Sequence, residues 1–327
     1  MTQTFPTVRC LGFLAVLVGL FYLSTIYRDY LFELSHQLIK DLQENRSEDD
    51  LSVRFFAFFS DCCESNIFTF ALIFLLPFMS RERFWYYLIA IQASNQVKDN
   101  FKMILSQPRP NWVWSDLNDT GCSESFGSPS GHSTRCANLA FLLVLDLFFP
   151  SEWSRQSHPS LNKRSVKTHK CTFAAVTFLS MTFWLLMLFD RVFLGKHAVD
   201  QILLGSQLGI WSAFFSHFIL RDPIFDHMAK VCHRAGEMTK ASATKYCLLG
   251  GFLIPVFICL TSALIGTVMA SKGHLQQKWL INMRDTCGYE YAVSAETGLL
   301  VANQSGMYTG TMIEANGNFG VAGLYVG

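Results

Sequence analysis

Charge is scarce in this chain. Lysine, arginine, aspartate and glutamate make up 16% of 327 residues, and they balance to a formal net charge of only +1. No surface field of one sign is strong enough to hold a polyanion, and the basic residues fall in short clusters rather than along one stripe, so a nucleic-acid partner is excluded. The ten cysteines show no metal-ligand spacing, which argues against a zinc site and leaves neither a metal nor a cofactor in the expectation. Internal repeats and low-complexity tracts are missing. The stretch "LFYLSTIYRD" that follows the first apolar run has no small-x-small cleavage site, so that run reads as a retained signal anchor rather than a removed signal peptide. No retention signal is recognisable at the other end.

What the chain does have is apolar surface. Half of its residues are hydrophobic and thirty are phenylalanine, too oily for an ordinary soluble domain. The expectation is an all-α, multi-pass membrane protein whose solvent is the lipid bilayer. Seven stretches approach the length needed to cross it, at 8–26, 65–80, 84–104, 131–149, 171–189, 198–220 and 246–270. Three regions follow: an anchor span with a polar segment (1–64), a helical core (65–220), and a loop, last span and Gly-rich tail (221–327).

Orientation follows from the loops. Arg81 and Arg83, the 151–170 loop with Arg155, Lys163, Arg164, Lys167 and Lys170, and the basic 221–245 loop all fall on one side, which the positive-inside rule makes cytoplasmic. Loops 27–62, 105–130 and 190–197 then face the lumen or exterior. The sequons at Asn45, Asn118 and Asn303 and the cysteines Cys62, Cys63, Cys122 and Cys287 land on that same side.

Ionisable groups at membrane depth are costly and usually line a site. Three clusters stand out: Lys102 and Arg109, seven residues apart and followed by Pro110; "PSGH", Pro129 to His132; and "DRVFLGKHAVDQ", in which Arg191 precedes His197 and Asp200 and Gln201 follow. Two predicted spans separate the second cluster from the third, so the chain returns to the same face and all three converge. Lys102, Arg109 and Arg191 together require a multiply charged anion, and an arginine fork suits phosphate oxygens. Ser130 and Gly131 add a hydroxyl and the positive end of a helix. Two histidines on one phosphate divide the labour: one attacks phosphorus, the other protonates the departing oxygen and then activates water.

Taken together, Lys102-x6-Arg109-Pro110, Pro129-Ser130-Gly131-His132 and Arg191-x5-His197 resemble the type 2 phosphatidic acid phosphatase (PAP2) superfamily. The stretches "FKMILSQPRPNWVWSD" and "CSESFGSPSGH" are most similar to its glucose-6-phosphatase branch. The resemblance implies a metal-independent phosphoric monoester hydrolase of the endoplasmic reticulum with a lumenal active site, inhibited by vanadate. By carry-over His197 is the nucleophile, His132 the proton donor, and Lys102, Arg109, Ser130, Gly131 and Arg191 bind the phosphoryl group. Asp190 stands where the superfamily usually has serine. Gln201 replaces the usual aspartate four residues past the nucleophile, as in glucose-6-phosphatases, with Asp200 one position early. Either side chain shares a helix face with His197 and could orient it. The expected substrate is a sugar phosphate, with a lipid phosphate as the alternative and a non-catalytic binding homologue as the rival class.

Overall fold

Ser80 opens one of the central helices by accepting a hydrogen bond from the Arg83 amide at 3.3 Å, and Ser106 closes it in the left-handed region at φ 44°. This computed structural model of the protein describes residues 5–44, 46–47, 50–64, 80–118, 125–149 and 166–233, with isolated positions at 260, 263, 279, 282, 291–293 and 300–302. Its helices are α1 (Phe5–Glu44), α2 (Leu51–Cys62), α3 (Arg81–Leu105), the short α4 (Pro110–Val113), α5 (Gly131–Phe148), α6 (Val166–Phe193), α7 (Val199–Phe215) and α8 (Arg221–His233). One π-helical turn, Ser216–Leu220, joins α7 to α8. Pro110 starts α4, where its missing N–H removes no helical bond.

Helix α5 lies mainly against α7 and α6, while α1 packs along α7. Two glycines of α7 explain the close approach. A methyl group at Gly205 would stand 2.6 Å from the Ser130 carbonyl oxygen, and one at Gly209 would run into the Thr134 carbonyl. Without those side chains the first turns of α5 rest directly on α7. The Ser130 amide then donates to the Gln201 carbonyl at 3.0 Å, which fixes the "PSGH" turn to the helix that follows His197.

The opposite end of the bundle is held by charge. Asp146 of α5, fully buried, pairs with Arg83 of α3 at 2.9 Å and with Arg221 of α8 at 2.9 and 3.0 Å. Asp146 is thus the shared partner of two guanidinium groups.

Among the described residues, three helices are long and apolar enough to cross a membrane: Val8–Glu44, Lys170–Phe193 and the continuous Val199–Met228. Expected spans 84–104 and 131–149 are helices α3 and α5, but they fall short of that apolar measure because Lys98, Asp99, Lys102, Arg135 and Asp146 interrupt them. Expected spans 65–80 and 246–270 lie almost entirely outside the described residues. The first span does not stop near residue 26, because α1 continues through the polar stretch to Glu44. The all-α expectation needs a small amendment: Tyr291–Val293 and Leu300–Ala302 pair as an antiparallel two-stranded ladder within the expected tail.

Candidate active site

Helix ends assemble the site. The C-terminus of α3 brings Lys102, the bend before α4 brings Arg109, the start of α5 brings Ser130, Gly131 and His132, and the turn between α6 and α7 brings Arg191 and His197. In that turn Gly195 adopts φ +74°, a conformation that glycine enters without strain. A side chain there would strike Gln43 of α1 and the Asn118 carbonyl. The Arg191 carbonyl accepts from the Lys196 amide at 3.1 Å and the His197 amide at 3.3 Å, so the arginine backbone holds the histidine in place.

His197 is 2% exposed. Its Nδ1 meets Gln201 Oε1 at 3.3 Å. An amide oxygen only accepts, so Nδ1 carries the hydrogen and Nε2 keeps its lone pair, the form a nucleophile needs. Burial is the main force holding this imidazole well below its ordinary range, and the facing Arg109, Arg191 and Lys102 push the same way. His197 is therefore neutral at physiological pH. Gln201 also accepts from the Ala198 amide at 3.3 Å and donates to the Pro108 carbonyl at 2.7 Å. One buried amide thus links the nucleophile to the Arg-Pro segment. Gly127 leaves room for it, since a methyl there would stand 2.5 Å from that amide.

The other predicted orienting group points elsewhere. Asp200 accepts from Gln107 Nε2 at 2.7 Å, and its second oxygen is buried without a partner near Tyr27 and Arg28 of α1. Of the two side chains that share a face with His197, Gln201 makes the contact.

The three cations are aligned by groups that the spacing did not single out. Ser125 Oγ accepts from Lys102 Nζ at 3.0 Å and from Arg109 Nη2 at 3.2 Å, while its carbonyl takes Arg109 Nε at 2.7 Å. Arg109 Nη1 donates to the Lys196 carbonyl at 2.8 Å. Arg191 pairs through Nε with Asp190 at 3.0 Å and through Nη2 with Ser60 of α2 at 2.7 Å. Asp190, unexplained by sequence, is thus the carboxylate that offsets the Arg191 charge. Ser125 sits two residues before the glycine that opens the "GSPSGH" turn, a weak signal; Ser60 carries none. Ser130 Oγ accepts from Ser133 Oγ at 3.0 Å, and Lys98 reaches toward Gly131.

His132 faces His197, Arg191, Arg135 and Lys196 within electrostatic reach. Its Nδ1 lies 3.5 Å from Arg135 Nη2, and its Nε2 is buried with no partner. All three sequence clusters therefore meet: two imidazoles, one with a free lone pair and one with an unspent nitrogen, among buried cations. Among the described residues no group of three or more histidine, cysteine or carboxylate side chains could hold a metal ion.

This arrangement is a cluster of two imidazoles and three cations gathered at the ends of a helical bundle. Residues 83–223, which include all three clusters, match the model of the PAP2 superfamily. No curated protein matches the chain. Among solved structures, the chain is similar to the "first transmembrane PAP2 type phosphatidylglycerolphosphate phosphatase from Bacillus subtilis", at 17% identity and a TM-score of 0.48, over 62% of this chain and 93% of that one.

Proposed function

We propose that the protein is an integral-membrane phosphomonoester hydrolase that works through a phosphohistidine. The observation that carries this reading is the neutral His197, anchored through Nδ1 by Gln201 and faced by Lys102, Arg109 and Arg191. His197 Nε2 attacks phosphorus, the bond to the ester oxygen breaks, and His132 protonates that oxygen as it leaves. His132 then takes a proton from water as the water attacks the phosphohistidine, which returns both imidazoles to their starting state. The cations and the α5 N-terminus stabilise the charge on the non-bridging oxygens. Asp200, named by its helix offset as the other candidate to orient His197, has no part in this scheme.

For the substrate, the similarity of "QPRPNWVWSD" and "GSPSGH" to glucose-6-phosphatases supports a sugar phosphate such as glucose 6-phosphate. A lipid phosphate is the second reading, favoured by the two long apolar helices, Lys170–Phe193 and Val199–Met228, whose junction carries His197 and would bring it to a bilayer. Purified protein is given glucose 6-phosphate or a sphingoid phosphate without added metal, with vanadate controls. Vanadate-sensitive release mainly from the sugar supports the first reading, and release mainly from the lipid moves the protein to the second. Release from neither contradicts the hydrolase and leaves a binding homologue.

A further inference from the structure

Two cations next to this site, Lys98 buried and Arg135 half-buried, are unused by the scheme. Lys98 lies one turn before Lys102 on α3, is 9% exposed, and its Nζ comes within 3.8 Å of where a methyl on Gly131 would sit. Arg135 lies one turn after His132 on α5 and directs Nη2 at the His132 ring, while its Nε is buried with no partner. Both stand on the side of the proton donor, not of the nucleophile. In an in-line displacement that is the side on which the leaving group departs.

Below them a cavity between α3 and α5 is lined by Ile91, Ser94, Arg135, Asn138 and Leu139. Ser94 and Asn138 are 2% and 1% exposed, and the Ser94 hydroxyl and both polar atoms of the Asn138 amide lack partners. Native structures seldom leave so many buried polar groups unsatisfied in one place. The facing carboxylates are Asp99, which pairs with Lys98 at 2.9 Å with its side chain 53% exposed, and Glu64, also exposed. Water screens those two, whereas Lys98 is buried and Arg135 half-buried, so positive charge dominates within the seam.

We infer that Lys98 and Arg135 form a second anion subsite on the leaving-group side, so that the protein prefers ligands bearing a second phosphate or similar anion near the scissile phosphoryl group. Helical spacing places the subsite about one turn, roughly 5 Å, from the Lys102 and His132 level, which suits phosphates on neighbouring carbons. The inference rests on the phosphoryl-binding reading above and narrows its substrate: a sugar or lipid phosphate with a second anionic group is favoured over glucose 6-phosphate or a sphingoid phosphate, whose leaving groups carry none.

Two non-hydrolysable probes separate these claims, ethylphosphonate and ethane-1,2-bisphosphonate, titrated calorimetrically into the full chain in detergent. The bisphosphonate is expected to bind about tenfold tighter or more, equivalent to about 1.4 kcal/mol. Lys98→Met and Arg135→Met should each reduce that ratio severalfold, while Lys98→Arg should retain it. Binding of ethylphosphonate reports that a variant is folded. Equal affinities in the wild type, or an unchanged ratio in both methionine variants, would overturn the subsite and leave the phosphoryl pocket standing. Failure of both probes to bind the wild type would overturn both.

Discussion

Gln201 is a single side chain on which three parts of the site depend, so its replacement gives a graded test. Gln201→Leu removes the acceptor for His197 Nδ1 and the Ala198 amide and the donor to the Pro108 carbonyl. Each orphaned buried group costs about 1–3 kcal/mol. If only the His197 contact acts on the chemical step, kcat falls by about 5- to 160-fold, while the phosphate cations, and hence KM, change little. Gln201→Glu changes charge with little change in shape. The wild-type imidazole is held neutral below its usual pKa of about 6.5, so activity is lost on acidification only below that value. A carboxylate at Nδ1 favours the imidazolium, and the acid limb of kcat/KM should move to higher pH by about one unit. Steady-state phosphate release between pH 4.5 and 8 gives both readouts. Full kcat in Gln201→Leu together with an unmoved acid limb in Gln201→Glu would refute the anchoring role.

Other consequences follow from the same contacts. Ser125→Ala removes the oxygen shared by Lys102 and Arg109 and should raise KM severalfold with a smaller change in kcat. Gly205→Ala places a methyl 2.6 Å from the Ser130 carbonyl, so thermal unfolding should show a loss of about 1–3 kcal/mol and activity should fall with the displaced "PSGH" turn. Asp146→Ala leaves Arg83 and Arg221 without their shared buried carboxylate and should cost about 3–5 kcal/mol, measured as a lower melting temperature in detergent. Asp200→Asn should lower kcat far less than Gln201→Leu, since Asp200 touches Gln107 rather than His197.

Much of the helical core was legible because long apolar runs and their serine and proline boundaries are local properties. The starts of α3, α4 and α5 follow from Ser80, Pro110 and Ser130 with the runs behind them. Convergence of the three clusters was legible because two spans return the chain to its starting face. Helix α1 was read too short, since its 40 residues mix an apolar half with a charged half that remains helical while burying only Ser35 and Ile39. The choice between Asp200 and Gln201 could not be made from spacing. Offsets of three and four residues share a helix face, and the direction of each was settled by distant partners, Gln107 for one and Pro108 for the other. Ser60 and Arg135 were invisible as site groups for a similar reason: single residues whose meaning depends on what packs opposite.

The covalent step carries the account, and it is best tested by rapid quench of the purified protein with a 32P-labelled phosphate ester. The account predicts a base-stable, acid-labile phosphohistidine on the peptide bearing His197, absent in His197→Ala and, with an aryl phosphate whose leaving group needs no protonation, accumulating in His132→Ala as its hydrolysis slows. Steady release of phosphate with no labelled histidine, or label on a residue other than His197, would contradict it.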